Sequence, residues 1–229
     1  MEIEGCALPE DRLYDLENDT WLRLDPGSTT ATLGITNLLA SFAGRFTSVT
    51  YRPVVGRIDA GRSVATLESV RFVGAVRLPV AALVVERNPA LAARPKLLND
   101  RPFDDGWVVR IALDQPLDLP ATLETAAVIE AKVRERIRER RVVCWPASPD
   151  TELFEIGAEC AAILVRLDVT LGTLPPGGVV LLVTDDPTSP IELVRWTDRT
   201  GHSVLGHRSV EGLHHFLVRR EEHPAPRRR

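Results

Sequence analysis

The sequence predicts an α+β chain in two parts, an all-β N-terminal half and a C-terminal βαβαββ half, with one long helix between them. Three observations predict it. Residues 21–111 alternate short β-rich runs with Gly and Pro. The apolar period turns helical at 117–141. Beyond the prolines of CWPASPD (144–150), strand and helix patterns alternate. A chain of 229 residues, 44% of them hydrophobic, is long enough to bury two cores.

In order, the first half offers the runs ATLGI (31–35), TSVTY (47–51), VATLE (64–68), AVRL (75–78), AALVVE (81–86) and WVVRI (107–111). Short strands at this spacing fit a small, strongly bent barrel or sandwich. One helix interrupts them at TNLLASFAG (36–44), with Thr36 as N-cap, Leu38, Leu39 and Phe42 on its apolar face and Gly44 as the stop. In the stretch 117–141, Thr122, Glu124 and Thr125 open a helix whose Val128, Ile129, Val133 and Ile137 share a face. The order then runs strand from Leu153, helix 160–173, strand from Val179, helix 189–200, and strands from His202 and His214. Prolines 175 and 176 with Gly177 and Gly178 form one turn, and DDPTSP (185–190) leads into the last helix.

A formal charge of -4 gives no general pull toward nucleic acid, and the basic end RREEHPAPRRR (219–229) reads as a solvated, disordered tail. No segment approaches the roughly 18 apolar residues of a membrane span, and the N-terminus lacks the pattern of a signal peptide. The expectation is a soluble, cytoplasmic, bacterial-type protein that meets neither membrane nor nucleic acid. Cys6, Cys144 and Cys160 are too few and too far apart in sequence for a disulfide framework or a zinc knuckle, and are expected as free thiols.

The first half carries GITN from Gly34, PVVGRIDAG from Pro53, LESVRF from Leu67, LPV from Leu78, VVERNPAL from Val84 and LNDRPFDDGW (98–107). In these motifs it resembles the H protein of the glycine cleavage system, a lipoyl-carrying hammerhead domain, over about residues 10–112. The resemblance implies a lipoyl-like barrel-sandwich and a modifiable lysine directly after the ESV of Glu68, Ser69 and Val70. Here that residue is Arg71. A guanidinium, with a pKa above about 12, has no free amine lone pair for an activated acyl group. The chain's two lysines, Lys96 and Lys132, lie at no hairpin tip, against twenty-six arginines. No lipoate is therefore expected. DTW (19–21) and Ala82 also depart from the family, whose usual residues there are HEW and glycine.

The second half carries Gly157, the pair Glu159 and Cys160, Pro176 and Gly177, TDDP (184–187), RTGH (199–202) and HFLVRR (215–220). It resembles the TusA/SirA-like sulfur carriers over about residues 152–220. That family bears a persulfide on the cysteine of CPxP; here the motif is CAAI (160–163), so the thiol remains and both prolines are absent. At the head of a helix the macrodipole favours a thiolate, while neighbouring Glu159 opposes it. Two readings of Cys160 stay open, a persulfide carrier and a small core cysteine.

Weaker signals read as structural. The histidines at 202, 207, 214 and 215 fit no compact zinc motif, and no metal site is expected. Asp185 and Asp186 read as helix-capping carboxylates. Cys144, beside Trp145, raises a sulfur relay toward Cys160. No phosphate loop or Ser-His-Asp pattern appears, so an autonomous enzyme is not expected and any activity would be sulfurtransferase-like.

The sequence thus divides into an H-like domain (1–116), a linker helix (117–146), a TusA-like domain (147–220) and the tail (221–229). The expected function is an unlipoylated adaptor whose H-like part docks protein partners of lipoyl or sulfur-transfer pathways while Cys160 relays sulfane sulfur. The alternatives are a structural or regulatory binding protein with both active positions lost, and a working H-type carrier.

Overall fold

The computed structural model describes residues 1–53, 56–114 and 119–222. The chain divides into two compact units, Met1–Cys144 and Trp145–Arg229. Residues 223–229, most of the expected basic tail, and positions 54–55 and 115–118 lie outside the described residues.

The first unit contains β1 (Glu2–Ile3), β2 (Cys6–Ala7), β3 (Leu13–Asp15), β4 (Thr20–Leu24), β5 (Thr30–Ile35), α1 (Asn37–Ala43), β6 (Phe46–Tyr51), β7 (Arg57–Ile58) and β8 (Ser63–Ser69). It continues through β9 (Val73–Arg77), β10 (Ala82–Arg87), α2 (Ala90–Ala93), α3 (Leu97–Asp100), β11 (Val109–Ala112), β12 (Glu124–Thr125) and α4 (Ala126–Glu139). Seven strands pair in the order β12-β3-β4-β5-β11-β10-β7, three as β6-β8-β9, and β1 with β2. The result is a mixed α+β unit around a β-sandwich, with no closed barrel among the described residues.

Strand alternation builds two cores. Leu22, Leu33, Ile35 and Ile111 face one way and meet Phe46, Val64, Leu67 and Val76 of the small sheet. Trp21, next to Leu22, faces the other way with Tyr14, where α4 covers them with Ile129, Val133 and Ile137. Each such fully buried side chain contributes roughly 1.5–3 kcal/mol. Trp21 leaves no room across the strand pair. It lies in register with Gly34, where an added Cβ would come within 2.4 Å of its ring. The indole N–H donates to the Pro102 carbonyl at 3.1 Å.

Helix α1 begins and ends as its sequence predicts. Thr36 Oγ1 accepts the Leu39 N–H at 3.3 Å and Gly44 closes the helix at φ +71°. In α4 one expectation fails: Val128 is exposed, because the buried stripe runs through Ala126, Ile129, Val133 and Ile137, and Val128 lies a residue off it. The helix expected as a linker is packed within the first unit.

Cys6 and Cys144 are not free thiols. They form a disulfide with Cα atoms 5.0 Å apart and are both buried, at 0% and 5% exposure. Separation in sequence misled here: the β1–β2 hairpin and the segment after α4 belong to one apolar cluster, which sets the two sulfurs side by side.

The second unit contains β13 (Thr151–Glu155), α5 (Cys160–Thr173), β14 (Val179–Thr184), α6 (Ser189–Thr200), β15 (Ser203–Val210) and β16 (Leu213–Arg219). This is the predicted βαβαββ order. The sheet runs β13-β14-β16-β15, with β13 parallel to β14 and the other pairs antiparallel. Ile163, Leu167 and Leu171 of α5 and Leu193 and Trp196 of α6 pack on Val180, Leu182, Phe216 and Val218 of the sheet. Gly201, at φ +75°, ends α6 in the left-handed conformation that glycine adopts without steric cost.

No helix among the described residues is long and apolar enough to cross a membrane.

Candidate functional site

The first candidate is the turn joining β8 and β9. Ser69 N–H donates to the Phe72 carbonyl at 2.8 Å, closing a tight turn with Val70 and Arg71 at its tip. Val70 is 99% exposed, as expected of a presented tip, and Glu68 and Arg71 are exposed beside it. Ser69 Oγ donates to the Ala43 carbonyl at 2.7 Å, which ties the turn to the last residue of α1.

Arg71 does not project as a swinging arm. Its guanidinium lies over Gly44, so close that a Cβ added there would meet Nε and Nη2 at 2.9 Å. A cation at the C-terminal end of a helix opposes the negative end of its macrodipole. Phe72 meets Phe42 and Phe46 edge-on, with ring centres 6.4 and 6.2 Å away, and Arg140 stands 5.4 Å from the Phe42 ring. Asn99, which the sequence reading missed, fixes this corner: its amide donates to the carbonyls of Ala40 and Gly44 at 3.0 and 2.8 Å and accepts the Phe46 N–H at 2.9 Å. The amines of the chain lie elsewhere. Lys96 pairs with Asp100 at 3.3 Å, and Lys132 pairs with Glu124 at 2.6 Å.

The second candidate is the loop before α5. Because β13 and β14 run parallel, the loops that follow them leave the same edge of the sheet. Gly157, at φ +70°, donates its N–H to Asp185 Oδ1 at 2.8 Å and so ties the two loops together. Cys160 opens α5 and is half-buried, with Glu159 as the N-cap residue but making no side-chain cap. Asp186 Oδ1 accepts both the N–H and the hydroxyl of Thr188 at 2.7 Å. It also takes a hydrogen bond from the Cys160 backbone, and these donors hold its carboxyl below the usual range.

The thiolate expected at this helix terminus is not favoured. Burial pushes the Cys160 thiol up, the Asp186 and Glu192 charges push it further, and a hydrogen bond with Thr188 works the other way. The opposing carboxylates come from the adjoining loop and α6; Glu159, the expected opponent, is not among them. Of the two carboxylates expected to cap α6, Asp186 accepts the N–H of Thr188 at the helix entry, whereas Asp185 bridges the loops. Both partners of Cys160 were within reach of sequence reasoning, since two successive strand–helix units place the TDDP loop beside the cysteine loop.

His214 is electrostatically coupled to Asp186. Its Nδ1 lies 2.9 Å from Ser209 Oγ and 3.3 Å from His207 Nε2, and His207 stacks on Phe216 at 4.3 Å. No group of three metal-ligating side chains occurs among the described residues. The relay from Cys144 to Cys160 is not available in this state, because the Cys144 sulfur is bonded to Cys6.

Comparison with known proteins separates the same two halves. The family model for the glycine cleavage H-protein matches residues 12–136, and that for the sulfurtransferase TusA matches residues 155–220. Glycine cleavage system H protein 5 of Aquifex aeolicus is 34% identical over 147 residues, covering 62% of this chain and 98% of the relative. A probable glycine cleavage system H protein 2 of Saccharolobus solfataricus is 32% identical, covering 63% of this chain and 98% of the relative. Among solved structures, a glycine cleavage system H protein from Mycobacterium marinum aligns with a TM-score of 0.47 at 24% identity, over 59% of this chain and all of the other.

Proposed function

Because the chain belongs to the glycine cleavage H-protein family and carries a TusA-like sulfur-carrier domain fused behind it, we propose that it is an unlipoylated adaptor that relays sulfane sulfur through Cys160. The observation that carries this reading is the placement of Cys160. It opens the helix at the TusA-like site and is the one cysteine not committed to a disulfide.

The transfer balances without an external oxidant. The Cys160 thiol loses its proton to solvent, and the thiolate attacks the outer sulfur of a donor persulfide. A new S–S bond forms, the donor's S–S bond breaks, and the donor leaves as a thiolate. An acceptor thiolate then takes the outer sulfur from Cys160 by the same exchange. The first unit docks protein partners of lipoyl or sulfur-transfer pathways by its β8–β9 turn, where Val70, Val73 and Phe42 present apolar surface around the fixed charge of Arg71. No lipoate is carried there.

Incubation of the full chain with glutathione persulfide, followed by intact mass, tests the relay. The wild type is expected to gain one sulfur atom and Cys160→Ala none. Equal gain by both, or gain by neither, ends the carrier reading.

A second reading is a structural or regulatory binding protein in which both active positions are extinct. The raised Cys160 thiol favours it. It predicts slow alkylation of Cys160 in the folded chain at every pH and fast alkylation after denaturation.

A further inference from the structure

On an antiparallel strand pair, residues opposite each other in register share a side of the sheet, and so do residues two apart along one strand. Strands β15 and β16 set His207 opposite Phe216 and Ser209 opposite His214, so all four side chains stand on one side. His207 lies flat on Phe216, with ring centres 4.3 Å apart and planes 8° apart, and Phe216 is itself buried in the core of the second unit. This stacking fixes the plane of the imidazole, whose Nε2 lies 3.3 Å from His214 Nδ1. Ser209 Oγ reaches the same Nδ1 at 2.9 Å. Two ring nitrogens and a hydroxyl, all carried on paired strands, therefore converge.

Only one hydrogen fits between two facing ring nitrogens, so one donates and the other turns a lone pair inward. Charging both rings would set like charges against each other. Moving the donor's hydrogen to its far nitrogen, the other neutral tautomer, leaves two lone pairs facing one space with no net change in protons. A tetrahedral zinc ion with bonds of about 2.0–2.1 Å to nitrogen holds neighbouring nitrogens about 3.3 Å apart. The two strands give that spacing before any ion arrives.

We propose that His207 Nε2 and His214 Nδ1 form a two-histidine site for a divalent transition cation of the zinc, copper or nickel type, with solvent filling the remaining positions. Imidazole suits these ions, whereas magnesium and calcium take oxygen ligands. No third His, Cys, Asp or Glu completes a group of three among the described residues, so the ion is held open and exchangeable rather than enclosed. An anion fits less well, because it needs hydrogens turned toward it and the hydrogen between these rings is spent inside the pair. The neighbouring histidines are set apart. His215 follows His214 on the strand and faces the other side of the sheet. His202 Nδ1 accepts the Glu221 N–H at 3.2 Å. In register His214 pairs with Thr184 and Thr184 with Glu155, which places the site at the edge of the sheet from which the Cys160 loop leaves. The proposal holds whether or not Cys160 carries sulfur.

The test is calorimetric titration of zinc chloride into the full chain carrying Cys160→Ala, since the thiolate would otherwise compete for the metal. One ion is expected to bind per chain. His207→Ala and His214→Ala should each weaken binding by about 10-fold or more, the least that losing a partner at a metal site usually costs. His215→Ala should bind as its parent does. Long-range proton–nitrogen spectra of the histidine rings need no substitution at the site: zinc should move His207 Nε2 and His214 Nδ1 to metal-bound shifts and leave both His215 nitrogens in place.

No binding, or binding that survives both His207→Ala and His214→Ala undiminished, overturns the site. So does a loss on His215→Ala as large as that on His214→Ala, or ring nitrogens of His207 and His214 that zinc leaves unmoved. Persulfide loading of the wild type is a separate measurement, and its failure would remove the relay through Cys160 while leaving the metal site standing.

Discussion

Arg71 shows how one side chain can both retain a position and abandon its chemistry. The turn still presents Val70 to solvent, yet the guanidinium lies back on Gly44 and the C-terminal end of α1. Arg71→Lys restores an amine with a free lone pair at the same tip. Co-expressed with a lipoyl ligase, Arg71→Lys is expected to gain the lipoyl increment in intact mass and the wild type to show none. Lipoate on the wild-type chain would remove the unlipoylated reading. The absence of an amine at residue 71 is legible from the sequence alone, because it is a matter of residue identity. The resting place of the side chain is not, since it depends on the positive φ of Gly44 and on the tie from Ser69 to Ala43. Cys160 divides in the same way: its place at a helix head is readable from periodicity and motif, whereas the burial that pushes its thiol up, and the Asp186 and Glu192 charges that add to it, come from packing against a neighbouring loop and helix.

At the scale of elements, local signals carried well and contacts between distant elements did not. Thr36 and Gly44 bound α1, and strands and helices of the second unit fall where pattern placed them, because caps and periods are written in adjacent residues. The Cys6–Cys144 bond spans a sequence separation of 138, and nothing local announces it. It fastens the β1–β2 hairpin to the segment that leaves α4. Closing so long a loop restricts the unfolded chain and is worth about 3–5 kcal/mol in the chain-entropy view. A thiol titration of the native, unreduced chain should find one reactive cysteine, rising to three after reduction in denaturant. The Cys6→Ala/Cys144→Ala variant should unfold at markedly lower urea than the wild type. Three reactive thiols in the native chain, or coincident unfolding curves, would contradict the bond's structural role.

For the molecule as a whole, the two units differ in how they meet acid, because every histidine of the chain lies beyond residue 200. Burial is the first cause that holds His202, His207 and His215 below the ordinary imidazole value of 6.5. The His214 charge adds to this at His207, and the charges of His207 and His214 at His215. The folded second unit therefore resists protons that its unfolded form accepts. As pH falls through about 6.5 the unfolded chain binds more protons than the folded one, and stability drops until the folded values are reached as well. The carboxyls held low, Asp11 in the first unit and Asp186 and Glu221 in the second, act in the other window. Their contribution is present above about pH 4 and is lost as pH falls through their folded values. Between pH 7.5 and 5.5 the histidines alone are in play, and only the second unit should weaken. Hydrogen exchange resolved by peptide and corrected for intrinsic rates should show protection falling in β15 and β16 while β4 and β5 hold. His207→Gln should reduce the loss. Equal loss in both units, or none in β15 and β16, would mean that these imidazoles do not govern the second unit's response to acid.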